Sequence, residues 1–94
     1  MKKVILIAED EAIVRFYMQT MLKASCSFNI YAAKDGVEGM ELFDEHGADF
    51  VITDIKMPNL CGVGLAKYIK SIDESVIVYA MSAYEPVHSK YFNG

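Results

Sequence analysis

The residues best suited to chemistry are three carboxylates, each at the end of an apolar run. Glu9 and Asp10 follow "VILIA" at residues 4–8, and Asp54 follows "FVIT" at residues 50–53. An acid at the mouth of a hydrophobic strand is costly to bury. It is therefore either a surface turn-former or a group kept for reaction or ligation. If the two strands are neighbours in a parallel sheet, the three acids converge outside the strands' carboxyl ends, where sites form in open α/β sheets. Two like charges about 4 Å apart repel by roughly 4 kcal/mol at an effective dielectric near 20. Three together require a compensating cation, and hard oxygen-only donors favour Mg2+ or Mn2+. A plainer reading stands beside this one, with Glu9, Asp10 and Glu11 as acids of a first helical turn that complement its dipole. We adopt it for Glu11; for Glu9 and Asp10 the residues alone leave both readings open.

The elements that must position these groups follow from the apolar pattern. Residues 4–8 form an unbroken aliphatic run without alternation, which predicts a central parallel strand covered on both faces. Over residues 11–24, Ile13, Val14, Tyr17, Met18, Met21 and Leu22 recur at helical spacing between Arg15, Gln19 and Lys23. They predict an amphipathic helix whose apolar residues are mainly core. A second strand over 28–33 leads through the turn Asp35-Gly36 into a second helix that closes at His46-Gly47. A third strand over 49–53, a third helix over 62–71 and a fourth strand over 76–81 follow, and Glu85-Pro86 opens a last helix. This alternation predicts one α/β domain over residues 1–94, with a parallel sheet and right-handed crossovers.

The bulk properties narrow the function. With 94 residues, 53% of them hydrophobic and 23% charged, the chain can form one core and lacks the signature of disorder. A net charge of −4 gives no basic field for nucleic acid. No apolar run approaches the roughly 20 residues of a membrane span, and the short "VILIA" is no signal peptide, so a cytoplasmic protein is expected. Cys26 and Cys61 lack metal-type spacing and read as reduced packing residues. The segment "AEDEA" after the first strand has no glycine and the wrong charge for a phosphate cradle, which argues against a nucleotide there.

Three segments, "VILIAEDEAIVR", "VITDIKMPNLCG" and "VYAMSAY", occur in that order along nearly the whole chain. They resemble the first strand and acid pair, the phosphoacceptor strand with its D-x-x-M-P-x-x-x-G turn, and the fourth strand with its switch hydroxyl in two-component response regulator receiver domains. The resemblance implies a flavodoxin-like, doubly wound sheet of order 2-1-3-4. It implies that Asp54 accepts a phosphoryl group from a sensor histidine kinase or phosphotransfer protein. It further implies that Glu9, Asp10, Asp54 and the Lys56 backbone carbonyl hold Mg2+ or Mn2+, and that Ser82 supplies the switch hydroxyl. Without the other segments, Ser82 would read as a strand-end hydroxyl or helix cap. Lys56 and Tyr84 match positions flanking the route of attacking water, with ordinary surface packing as the alternative. Pro58 fixes the loop after Asp54, and Gly62 permits a tight turn into the third helix.

The pattern also breaks. Family members carry a lysine on a fifth strand, roughly twenty residues past the switch hydroxyl, that faces the phosphoryl charge, whereas this sequence stops at Gly94. Lys90 falls too early to take that role. The expectation is a receiver cut before its fifth strand and fifth helix, with an exposed fourth strand through which a homodimer forms. Cys61 stands where an acid or amide is common, and is read as packing. Two competing functions follow. A dehalogenase-like phosphatase would need a second acid two residues past Asp54, where Lys56 stands, so a turnover enzyme is not expected. A pseudo-receiver that only binds partners, or swaps segments into a dimer, is the stronger alternative.

Overall fold

The computed structural model describes residues 3–25, 27–81 and 90–93. The elements run β1 (Val4–Ala8), α1 (Ala12–Ser25), β2 (Asn29–Ala33), α2 (Gly36–His46), β3 (Phe50–Asp54), α3 (Gly62–Ile72) and β4 (Ile77–Met81). All strand pairs are parallel, in the order β2-β1-β3-β4. This is the doubly wound arrangement expected. Strand order first runs from β1 to β2 and then crosses back to β3, so right-handed connections put α1 on one face and α2 with α3 on the other.

Alternation along each strand divides the core between those faces. Leu6, Ala8, Ala33, Val51 and Val78 pack with Phe43 of α2 and with Leu65, Ala66 and Ile69 of α3. Ile5 and Ile7 point the other way and are also buried, so β1 is covered on both sides, as its unbroken aliphatic run requires.

Helix α1 departs from expectation. It turns Arg15, Met18, Gln19 and Leu22 inward, half-buried. Ile13, Phe16, Tyr17 and Met21 are 84%, 71%, 64% and 50% exposed. The reason is geometric: α1 lies against β1 and β2, and Ile13, Phe16 and Tyr17 fall on the arc of the helix turned away from those strands.

The outer edge of β4 differs as well. In a parallel pair, alternate residues of β4 turn their amide and carbonyl away from β3. Val78 is one of these, and Asn93 takes both groups. Its side-chain oxygen accepts from the Val78 amide at 2.9 Å, and its own amide donates to the Val78 carbonyl at 2.7 Å. Lys70 Nζ bonds the same Asn93 oxygen at 2.8 Å and the Val76 carbonyl at 2.5 Å. The fourth strand is the edge of the sheet, as expected, but its Val78 position is already occupied. Residues 90–93 form a turn and irregular backbone instead of helix, with Tyr91 and Phe92 against the core. Most of the helix expected from Glu85-Pro86 lies outside the described residues.

Candidate functional site

Ala8 is level with Thr53 across the β1–β3 pair, so the residues that follow, Glu9 and Asp10 from β1 and Asp54 from β3, meet at one edge. Each can offer a carboxylate oxygen within 4.8 Å of the other two. The Glu9 backbone is fixed because its amide extends the β1–β2 ladder, donating to the Ala33 carbonyl at 3.0 Å. Glu9 Oε2 accepts the Glu11 amide at 3.0 Å. Arg15, one turn into α1, donates to the Glu9 carbonyl at 2.8 Å. Asp54 is held by the Ile55 amide, which donates to its Oδ1 at 2.7 Å, while buried Thr53 donates its hydroxyl to the Asp54 carbonyl at 2.9 Å.

The three acids occupy a gradient from inside to outside. Glu9 is 6% exposed, Asp54 half-buried and Asp10 exposed. Burial pushes the Glu9 carboxyl above its ordinary range, and the Asp10 and Asp54 carboxyls add to the rise against the Glu11 hydrogen bond. Among the described residues no lysine or arginine forms an ion pair with any of the three. The cluster is therefore under-compensated, oxygen-only and open to solvent on the Asp10 side. Those properties fit a small hard cation that keeps positions free for water or an incoming oxyanion.

The other candidates fall as follows. Lys56 lies in the bend after Asp54 with its side chain exposed. Gly62 makes a close approach: a Cβ there would overlap the Asp54 carbonyl oxygen, and its amide donates to the Ile55 carbonyl at 2.8 Å. Ser82 and Tyr84 lie outside the described residues, as does Cys26. Cys61 is exposed and free, not a packing residue; it is the N-cap of α3 and makes no side-chain capping bond. Glu11 stands one residue before α1 instead of in its first turn, and its carbonyl accepts the Arg15 amide. Lys90 sits 5.3 Å from the Tyr91 ring centre, beside Lys67 and Lys70 at the far end of α3. Sequence reasoning missed the Arg15 contact, whose only signal was an arginine one helical turn past the acid pair.

A four-stranded parallel sheet of order 2-1-3-4, with a carboxylate cluster beyond its first and third strands, is a flavodoxin-like, doubly wound α/β architecture. Residues 5–91 match the response regulator receiver domain family, and the chain belongs to it. It is 40% identical over 83 residues to the transcriptional regulatory protein HptR of Staphylococcus aureus, a match that covers 86% of this chain and 32% of HptR. The chain thus spans about a third of that relative's length. Among solved structures, the N-terminal domain of a Wolinella succinogenes protein aligns with a TM-score of 0.82 and 35% identity, covering 92% of this chain and 68% of that one. The receiver domain of yeast Ssk1, crystallised with the histidine phosphotransfer protein Ypd1 from Saccharomyces cerevisiae, aligns with a TM-score of 0.80 and 25% identity, covering 90% and 66%. No helix among the described residues is long and apolar enough to cross a membrane.

Proposed function

We propose that this receiver domain accepts a phosphoryl group on Asp54 from a phosphohistidine of a sensor kinase or phosphotransfer protein in the cytoplasm, with Mg2+ or Mn2+ bound at the cluster. The observation that supports it most is the convergence of Glu9, Asp10 and Asp54 within 4.8 Å. Asp54 is the nucleophile: one of its oxygens forms the new P–O bond, and the P–N bond breaks with its electron pair going to the imidazole, which then takes a proton from solvent. The product is a mixed anhydride. Glu9, Asp10, Asp54 and the Lys56 carbonyl would hold the cation, which supplies neutralisation of charge on the phosphoryl oxygens. Arg15 and the Glu11 amide keep the acid pair in place, and Ser82 is the hydroxyl that would bond the transferred group. The reaction is a single transfer to the chain itself, not turnover of a free substrate.

The partner assignment draws support from the Ssk1 receiver, which was solved with a phosphotransfer protein. A homodimer through β4 has less support than the sequence offered, since Asn93 already occupies Val78. A scaffold without a working switch is favoured by one observation, the exposed apolar arc of α1. Intact-mass spectrometry after treatment with acetyl phosphate and Mg2+ separates the two readings. The phosphoacceptor predicts a gain of one phosphoryl group that does not occur when the metal is chelated beforehand or in Asp54→Ala. A parent mass that stays unshifted, while a longer receiver shifts under the same conditions, rejects it.

A further inference from the structure

The loop between β3 and α3, residues 55–61, carries the Lys56 carbonyl and is pinned at two points. At its base, Gly62 packs on the Asp54 carbonyl and donates to Ile55. At its crown it is tied to α2. Asp35, the N-cap of α2, is 5% exposed and uses both oxygens: Oδ1 accepts the Glu38 amide at 2.8 Å, and Oδ2 accepts the Asn59 side-chain amide at 2.7 Å. Beside this bond Gly36 packs so closely under Leu60 that a Cβ would overlap the Leu60 carbonyl.

Asn59 holds a backbone φ of +70°, a left-handed conformation that glycine adopts more readily. Asparagine tolerates that conformation better than most other side chains, so the backbone accounts for the residue type, and the hydrogen bond shows what its side chain does there. Its amide bonds Asp35, a charge-assisted contact between an exposed side chain and a buried carboxylate. The Glu38 and Asn59 hydrogen bonds hold the Asp35 carboxyl below its ordinary value, so the acceptor stays ionised.

We propose that Asp35 and Asn59 are a positioning pair, which fixes the crown of the 55–61 loop and so aims the Lys56 carbonyl at the carboxylate cluster. The inference rests on the phosphoacceptor reading above, because it assigns the loop a part in holding the cation. It ties the start of α2 to the site without either residue touching the metal or the phosphoryl group. Supporting residues of this kind typically change metal affinity by about 10-fold or more when removed.

Asn59→Gly removes the amide where the left-handed backbone is tolerated. Asp35→Ser keeps a capping oxygen for Glu38 and leaves the loop sequence unchanged, so it separates loss of the bond from glycine's added freedom. Tyr68→Phe is the control: the Tyr68 hydroxyl donates to Asp44 Oδ1 at 2.7 Å and ties α3 to α2 away from the loop. Two readouts are taken, Mn2+ affinity by calorimetry and hydrogen exchange at the Ile55, Lys56 and Leu60 amides in metal-free protein. The expected result for Asn59→Gly and Asp35→Ser alike is a dissociation constant raised about 10-fold and faster exchange in the loop, with Tyr68→Phe leaving both unchanged. Affinity and exchange equal to the parent's would overturn the pair, as would equal losses in Tyr68→Phe, which would mark general helix packing as the cause. A parent that binds no Mn2+ refutes the phosphoacceptor reading instead. Loop exchange then decides the structural tie alone, and unchanged exchange removes it.

Discussion

On one face of the sheet α2 and α3 leave Leu65, Ala66 and Ile69 without solvent contact, whereas on the other α1 leaves Ile13, Phe16 and Tyr17 mostly in water. The two faces differ in what they contribute. The α2/α3 face supplies most of the buried core and, through Asp35 and Gly36, grips the loop beside Asp54. The α1 face supplies the acid pair at its lip and the Arg15 bond that steadies it, but little tight packing along the helix. The contrast teaches that the site is anchored chiefly from the packed side, while the apolar arc of α1 is available for contact.

The contrast predicts unequal responses to substitution. Leu65→Ala, in the fully buried face, should lower the free energy of unfolding by about 2–5 kcal/mol, read by urea denaturation. A loss no larger than that of a surface change would show that the face is not tightly packed. Asp35→Ala removes the α2 cap and should cost about 1 kcal/mol. Its pH dependence carries a definite sign. The folded state depresses the Asp35 pKa, so its contribution is fully present above the unfolded value near about pH 4 and is lost as pH falls through the depressed one. Asp35→Asn should therefore flatten the acid limb of stability, and an unaltered limb would contradict the assignment.

Asn93→Ala deprives the Val78 amide of its acceptor and should cost about 1 kcal/mol. It should also raise self-association in sedimentation, because it partly reopens the β4 edge. A variant as monomeric as the parent would show that Asn93 does not guard that edge. Phe16→Ser, on the open face, should change stability by no more than about 0.5 kcal/mol. A larger loss would mean that the arc is covered in solution.

Much of the fold was legible because strand and helix periods differ and the aliphatic runs are short and clean. The unbroken "VILIA" marked a central strand, and Gly47 marked the end of α2, where its amide caps the Phe43 carbonyl at 2.8 Å. The gathering of Glu9, Asp10 and Asp54 required β1 and β3 to be neighbours, an order that the family resemblance implied and the alternation of elements alone left open. The exposure of α1 was not legible, since helical spacing reveals an apolar stripe but not whether a neighbour covers it. The Asp35–Asn59 bond joins residues 24 apart, and each alone reads as an ordinary turn residue. Asn93 imitates a strand with one amide and one side chain, a pairing that no periodicity announces.

The central claim is the proposal that the three carboxylates form one divalent-cation site, with Asp54 as its proposed phosphoacceptor. Calorimetric titration with Mn2+ of the parent, Asp10→Asn and Asp54→Asn tests it most directly. The account predicts saturable binding to a single site in the parent and a large loss of affinity in both variants. Parent binding that persists undiminished in both would place the cation elsewhere and contradict it.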